Sequence, residues 1–242
     1  MTLTNSTEAL VLAGGFGTRL QSIVNNVPKP MAPINDQPFL SYLLIFLYRQ
    51  GIRRTYISLH HLPKTITRYF GNHFHEMELH YFIEPKPLGT GGAILFCLNQ
   101  IQPTQPIFIL NGDTYSSCPL NLMKESYLRN FHKKSILSVS ITVAPQAKRY
   151  NRLILKNERI TSFQAHEANL NWINAGIYLV APELAQHLSL LGRDLFSFEN
   201  DFLDTYCQRY FFHAFPFSGT LIDIGVPEDY CLFQKKMKTE TL

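Results

Sequence analysis

The apolar run Ala9-Leu10-Val11-Leu12-Ala13 opens, with no polar residue between, into Gly14-Gly15-Phe16-Gly17-Thr18-Arg19. Apolar at every position, the run reads as a strand covered on both faces, the mark of a parallel sheet with helices on each side. The glycines let backbone N–H groups approach an anion closely, because no Cβ stands in the way. Arg19 closes the turn and Lys29-Pro30 follows ten residues on, so cations flank a cradle for several phosphate oxygens.

The first half then alternates strand and helix signals. Pro38–Gln50 carries apolar residues at helical spacing and stops at Gly51, Thr55–Leu59 reads as a strand, and Pro63–Phe70 as a helix ended near Gly71. Leu79–Ile83 is a strand, a helix starts at Gly92–Leu98, Pro106–Leu110 is a strand again, and Leu122–Phe131 a helix. Repeated βα units predict an α/β fold with a doubly wound, mostly parallel central sheet, whose ligands bind beyond the carboxyl ends of the strands.

The second half is richer in strands. Ile136–Val143 alternates as a strand, Leu153–Leu155 and Arg159–Phe163 form a hairpin, and Ile173–Val180 follows, then a helix over Pro182–Leu188. Tyr210–Phe215 and Leu221–Ile224 are short strands before a terminal helix over Pro227–Met237. The 242 residues suit one domain, with a nucleotide half over 1–118 and a smaller, β-rich substrate half over 119–242.

Composition narrows the partners. A net charge of +4, with its basic residues scattered in short runs, argues against nucleic acid. No apolar stretch reaches the roughly 18 residues of a membrane span, and the N-terminus lacks a basic leader, so no membrane partner is expected. The 4 cysteines form no C-x-x-C pair and read as reduced thiols, which places the protein in the cytoplasm. His60-His61 and His73-x-His75 lack nearby further ligands, so zinc is not expected.

Two common phosphate loops fail to match the opening turn. Arg19-Leu20 follows Thr18 where a P-loop needs Lys-Ser or Lys-Thr after its glycines, and Leu20 stands where a dinucleotide fingerprint needs its third glycine. Three further segments fall at loop positions: Glu84-Pro85-Lys86-Pro87-Leu88-Gly89-Thr90-Gly91-Gly92-Ala93, Asn111-Gly112-Asp113-Thr114, and Asp223-Ile224-Gly225-Val226-Pro227-Glu228-Asp229-Tyr230. Singly, each is an ordinary turn or helix start. Together with L-A-G-G-x-G-T-R-L at Leu12–Leu20, K-P at Lys29-Pro30 and I-N-A-G at Ile173–Gly176, they resemble the sugar-phosphate nucleotidyltransferases over nearly the whole chain. The similarity is greatest to the branch of D-glycero-D-manno-heptose 1-phosphate guanylyltransferases, through Lys29–Ile34, Pro38–Leu40 and Pro87–Ala93.

That resemblance implies a Rossmann-like fold and a Mg²⁺-dependent transfer of a nucleotidyl group, GMP from GTP, to a sugar 1-phosphate of heptose type, serving surface-glycan biosynthesis. It implies that Arg19 and Lys29 are catalytic. Leu12, Ala13, Gly14, Gly15, Gly17, Thr18, Glu84, Leu88, Gly89 and Thr90 would bind nucleotide, and Asp113 and Asp223 would hold Mg²⁺. Asn111, Gly112, Asn174, Gly176 and His166 would bind the sugar phosphate. The reaction needs no general base, because a phosphate monoester with a second pKa of about 6 is largely ionised near neutrality. It needs in-line positioning and neutralised charge. Glu84 bears on base choice: an ionised carboxylate only accepts, which suits guanine's N1–H and amino group and opposes the O4 of a pyrimidine.

One stretch departs from the family pattern. Where an F-x-E-K run is expected, with Glu on sugar and Lys on its phosphate, this chain has Phe163-Gln164-Ala165-His166-Glu167. Ala165 cannot hydrogen-bond, and His166 is only partly charged near neutrality. A UTP- or TTP-dependent hexose-1-phosphate nucleotidyltransferase and a non-catalytic nucleotide-sugar-binding protein therefore stay open beside the guanylyl reading, and homo-oligomerisation is left open.

Overall fold

The computed structural model describes residues 7–15, 20, 24, 27–130, 135–143, 152–165 and 172–239. The chain forms two compact units, one from Met1–Lys86, Leu110–Ser117 and Thr220–Leu242, the other from Pro87–Ile109 and Cys118–Gly219. The architecture is α/β, as the alternation of strand and helix signals predicts.

The first unit opens with β1 (Glu8–Leu12), whose Ala9, Leu10 and Val11 are completely buried, as an unbroken apolar run requires. A short 3-10 turn at Lys29–Met31 leads to a small hairpin of β2 (Pro33–Ile34) and β3 (Gln37–Pro38). The helix α1 (Phe39–Arg49) is apolar on most of its circumference and buries Phe39, Leu40, Leu43, Leu44 and Leu47. It ends where Gly51, at φ 85°, takes the left-handed conformation. Then come β4 (Arg54–Leu59), α2 (Pro63–Phe70), β5 (His73–Phe74) and β6 (Met77–Ile83). β1, β4 and β6 pair in parallel, Glu8 against Arg54 and Arg54 against Glu78, with β5 antiparallel at the edge. Their carboxyl ends therefore lie together, which gathers Ala13, His60 and Glu84 at one rim of the sheet.

The chain continues in the second unit with α3 (Gly89–Ile101) and returns along β7 (Ile107–Asn111) to β8 (Thr114–Ser116). The second unit then supplies α4 (Leu120–Asn130), β9 (Leu137–Val143), β10 (Arg152–Lys156), β11 (Arg159–Ala165), β12 (Trp172–Val180) and α5 (Leu184–Ser189). A π-helix (Phe198–Asp204) and β13 (Phe212–Pro216) complete it. Its pairing is mostly antiparallel: β9 lies between an antiparallel β12 and a parallel β13, while β10 and β11 form the expected hairpin. Asn157 turns that hairpin at φ 55°, a conformation asparagine tolerates. Aromatic rings fill the core, Phe198 stacked on Phe202 at 5.6 Å and edge-on to Tyr178 at 5.1 Å.

β14 (Leu221–Asp223) and α6 (Pro227–Thr239) close the chain in the first unit. β14 pairs antiparallel with β8, setting Asp223 opposite Thr114. Among the described residues, no helix is long and apolar enough to cross a membrane.

Candidate functional site

In the first unit Lys29, one of the two residues predicted to be catalytic, meets the two predicted metal ligands, Asp113 and Asp223. Asp113 follows β7 and Asp223 ends β14, and the Ile224 N–H donates to the Asp113 carbonyl at 3.0 Å, locking the two carriers side by side. Pro28 and Pro30 flank Lys29 in its 3-10 turn and restrict its backbone. The Lys29 Nζ lies 2.7 Å from Asp113 Oδ2 and 3.3 Å from Asp223 Oδ1, and the side chain is only 8% exposed. Asp223 Oδ1 also accepts from the Gly225 N–H at 2.7 Å. A Cβ at Gly225 would stand 2.8 Å from both Asp223 Oδ1 and Lys29 Nζ, so a larger residue there would displace these side-chain ends from their present places. Two carboxylates that converge on one cation are donors of the hard oxygen type that Mg²⁺ selects, and Mg²⁺ ordinarily takes one or two protein carboxylates. Among the described residues there is no group of three or more metal-ligating side chains.

The glycine turn adjoins this cluster along β1. The Gly112 N–H donates to the Leu12 carbonyl at 2.9 Å, and a Cβ on Gly112 would stand 2.4 Å from that same oxygen. Asn111 and Gly112 are thus held against the end of β1, in the same unit as Leu12, Ala13, Gly14 and Gly15. Gly17, Thr18 and Arg19 lie outside the described residues.

Glu84 is buried rather than solvent-facing, at 6% exposure. Its Oε1 accepts from Ser58 Oγ at 2.8 Å, its N–H donates to Leu59, and His60 Nδ1 lies 3.2 Å from its carbonyl. A Cβ on Gly14 would come within 2.6 Å of Glu84 Oε1. The glycine at 14 therefore serves the carboxylate's approach as well as any anion's. Ser58 and His60 had no distinguishing signal in the sequence; their part follows from β4 ending beside β6.

The second unit holds Asn174 and Gly176. Between Asn174 and Tyr178 a four-residue step in β12 faces a two-residue step in β9, a bulge that Gly176 permits at φ 72°. The bulge brings the Asn174 Nδ2 within 2.7 Å of the Tyr178 hydroxyl, and Asn174 Oδ1 accepts from the Gly176 N–H at 3.0 Å. Tyr178 in turn donates to Glu199 Oε1 at 3.3 Å. Burial first, and the Glu199 charge second, hold the Tyr178 phenol well above its ordinary pKa, so it stays a hydroxyl.

Leu88, Gly89 and Thr90 also lie in the second unit, beside the segment that leads into the π-helix and its first residues. Gly91 N–H donates to the Phe196 carbonyl and Phe196 N–H to Leu88, and a Cβ on Gly89 would stand 2.5 Å from the Phe196 oxygen. Those glycines admit another stretch of backbone. Thr90 Oγ1 donates to Glu199 Oε2 at 2.7 Å and accepts from the Phe198 N–H at 2.8 Å. Glu199 and Tyr178 are further residues that sequence reasoning missed. The run Ser197-Phe198-Glu199-Asn200-Asp201, a serine followed by acids, carried the signal of a capped helix start. Ala165 ends β11, and His166 lies outside the described residues.

Residues 8–240 match the family model described as Nucleotidyl transferase. A D-glycero-alpha-D-manno-heptose 1-phosphate guanylyltransferase of Aneurinibacillus thermoaerophilus is 36% identical over 233 residues, covering 96% of this chain and 98% of its own length. A Campylobacter jejuni protein of the same description is 35% identical over 228 residues, covering 93% of this chain and 98% of its own. Among solved structures, HddC from Yersinia pseudotuberculosis complexed with GMP-PN superposes with a TM-score of 0.80 at 32% identity, over 95% of this chain and 99% of that one.

Proposed function

Because the chain belongs to the nucleotidyl transferase family, we propose that it transfers GMP from GTP to D-glycero-α-D-manno-heptose 1-phosphate, releasing pyrophosphate and forming a GDP-sugar for surface-glycan biosynthesis in the cytoplasm. The observation that carries this reading is the Lys29 ammonium held between Asp113 and Asp223 beside the end of β1. An oxygen of the sugar 1-phosphate attacks the α-phosphorus, and the bond from that phosphorus to the bridging oxygen of the β-phosphate breaks. Lys29 supplies positive charge to the α-phosphate as that exchange proceeds. The backbone N–H groups of Gly14, Gly15 and Gly17, with Arg19, grip the departing β- and γ-phosphates. Asp113 and Asp223 would hold Mg²⁺, which supplies charge neutralisation on the phosphate oxygens when bound.

Glu84 selects the base. Fixed by Ser58 and carrying acceptors only, it favours the N1–H and amino group of guanine. Asn174 and Gly176 read sugar hydroxyls. The heptose assignment takes its support from relatives of that description that align over 93% and 96% of this chain.

The test is pyrophosphate release from each common nucleoside triphosphate against a panel of sugar 1-phosphates, with and without Mg²⁺. GTP with the heptose 1-phosphate, in the presence of Mg²⁺, is expected to dominate. Preference for UTP or TTP would overturn the guanylyl assignment, and no release from any pair would leave a binding protein.

A further inference from the structure

Asn174 is a predicted sugar reader whose amide is held from two sides, by Gly176 close in sequence and, through Tyr178, by a group remote in sequence. The Gly176 N–H engages Oδ1 while Nδ2–H points to the Tyr178 oxygen. The Tyr178 hydroxyl proton is directed away from Asn174, because it is donated to Glu199. Had that proton pointed the other way, it would meet the Asn174 amino group, donor against donor. The polarity of this chain of hydrogen bonds is therefore set from both ends, by the Gly176 N–H and by Glu199.

Glu199 itself is built in with care. It sits in the first turn of the π-helix, where Ser197 Oγ caps the Asn200 N–H at 3.1 Å. Its Oε2 accepts from Thr90 Oγ1 at 2.7 Å and from Ser197 Oγ at 3.2 Å, and Oε1 takes Tyr178. Three hydroxyl donors on one carboxylate compensate its partial burial and define where each oxygen lies. Thr90 cannot turn away freely, since it also accepts from the Phe198 N–H. The carboxylate is thus anchored on one side and orders Tyr178 on the other.

We infer that Glu199 is a positioning residue for the sugar 1-phosphate: through Tyr178 it holds the Asn174 amide with one N–H and one oxygen lone pair presented to a pair of sugar hydroxyls. This rests on the reading of Asn174 as a sugar-hydroxyl reader. A chain that carries Ala165 where its family places a sugar-binding glutamate has this fixed amide as a separate means of hydroxyl recognition.

The experiment measures kcat and both KM values for the unaltered protein, Glu199→Ala, Glu199→Gln and Tyr178→Phe. Glu199→Ala and Tyr178→Phe are expected to raise KM for the sugar 1-phosphate about tenfold, the loss of one well-placed hydrogen bond, with KM for GTP unchanged. Glu199→Gln keeps an oxygen for the Tyr178 hydroxyl and is expected to restore most of the affinity. Equal rises in both KM values, no change in either, or a Glu199→Gln variant as impaired as Glu199→Ala would overturn the inference. Should Glu199→Ala fold poorly, Tyr178→Phe removes a single oxygen and reads the same link. Turnover by the unaltered protein with an undifferentiated KM response counts against Glu199 alone; no turnover by the unaltered protein counts against the enzymatic reading on which it rests.

Discussion

Lys29 does two things that a single substitution separates. In the proposed reaction its charge serves the transferred phosphate, and in the fold its buried ammonium pairs with Asp113 and Asp223, which would otherwise face each other bare. Lys29→Met is expected to lower kcat by about 10²–10³-fold, the usual cost of losing one charge-stabilising group. It is also expected to lower Tm, and added Mg²⁺ should raise the variant's Tm by more than it raises that of the unaltered protein. A thermal melt with and without Mg²⁺ checks the second point; equal Mg²⁺ responses would contradict it. At Glu84 the expected effect is on choice. Glu84→Gln replaces an acceptor by a mixed donor and acceptor, and should cut the GTP-over-UTP ratio of kcat/KM by at least about tenfold, since hydrogen bonds to a charged group are worth roughly 1.5–3 kcal/mol. An unchanged ratio would sink this account of base selection. Lys29, Asp113 and Asp223 were legible because each stands in a short local motif. Ser58 and Glu199 were not, because what makes them matter is a partner 26 residues away in one case and 109 in the other.

Among the elements, those governed by local pattern were read correctly. The helix over Pro63–Phe70 was bounded by proline and glycine, and the unbroken apolar run of β1 announced a strand covered on both faces. The π-helix was not read, since its seven residues bring only Phe198, Phe202 and Leu203 to the core, too short an apolar pattern to stand out, and it rests on the stacked rings of Phe198 and Phe202. It is stabilised at its start by a reciprocal pair: Ser197 Oγ accepts from the Asn200 N–H, and Asp201 Oδ2 accepts from the Ser197 N–H at 2.7 Å. Ser197→Ala is expected to cost about 1 kcal/mol of stability, as lost N-caps do. That N–H, and then Arg193, hold the Asp201 carboxyl below its ordinary range. A carboxyl lowered on folding contributes stability above its unfolded pKa of about 3.9 and loses it as pH falls through the lower folded value. The stability difference between the unaltered protein and Asp201→Asn should therefore shrink as pH is taken from 7 to 3; a difference that grew on acidification would contradict the assignment.

At the scale of the molecule, strand–helix alternation gave the α/β class, and the rule that ligands gather beyond strand carboxyl ends gave the position of Gly14, Asp113 and Glu84. What the alternation could not give is the way the chain passes between units at residues 86, 109, 117 and 219. That path returns Asp223 to Asp113 across 110 residues of sequence, and puts Thr90 with Glu199. The account's central claim concerns the reaction itself, and phosphorus NMR of the protein with Mg²⁺, GTP and D-glycero-α-D-manno-heptose 1-phosphate tests it most directly. The account predicts loss of the sugar phosphomonoester signal together with the triphosphate signals, and their replacement by one diphosphate diester and pyrophosphate in equal amounts. Persistence of the phosphomonoester signal, or release of inorganic phosphate without a diphosphate diester, would contradict it.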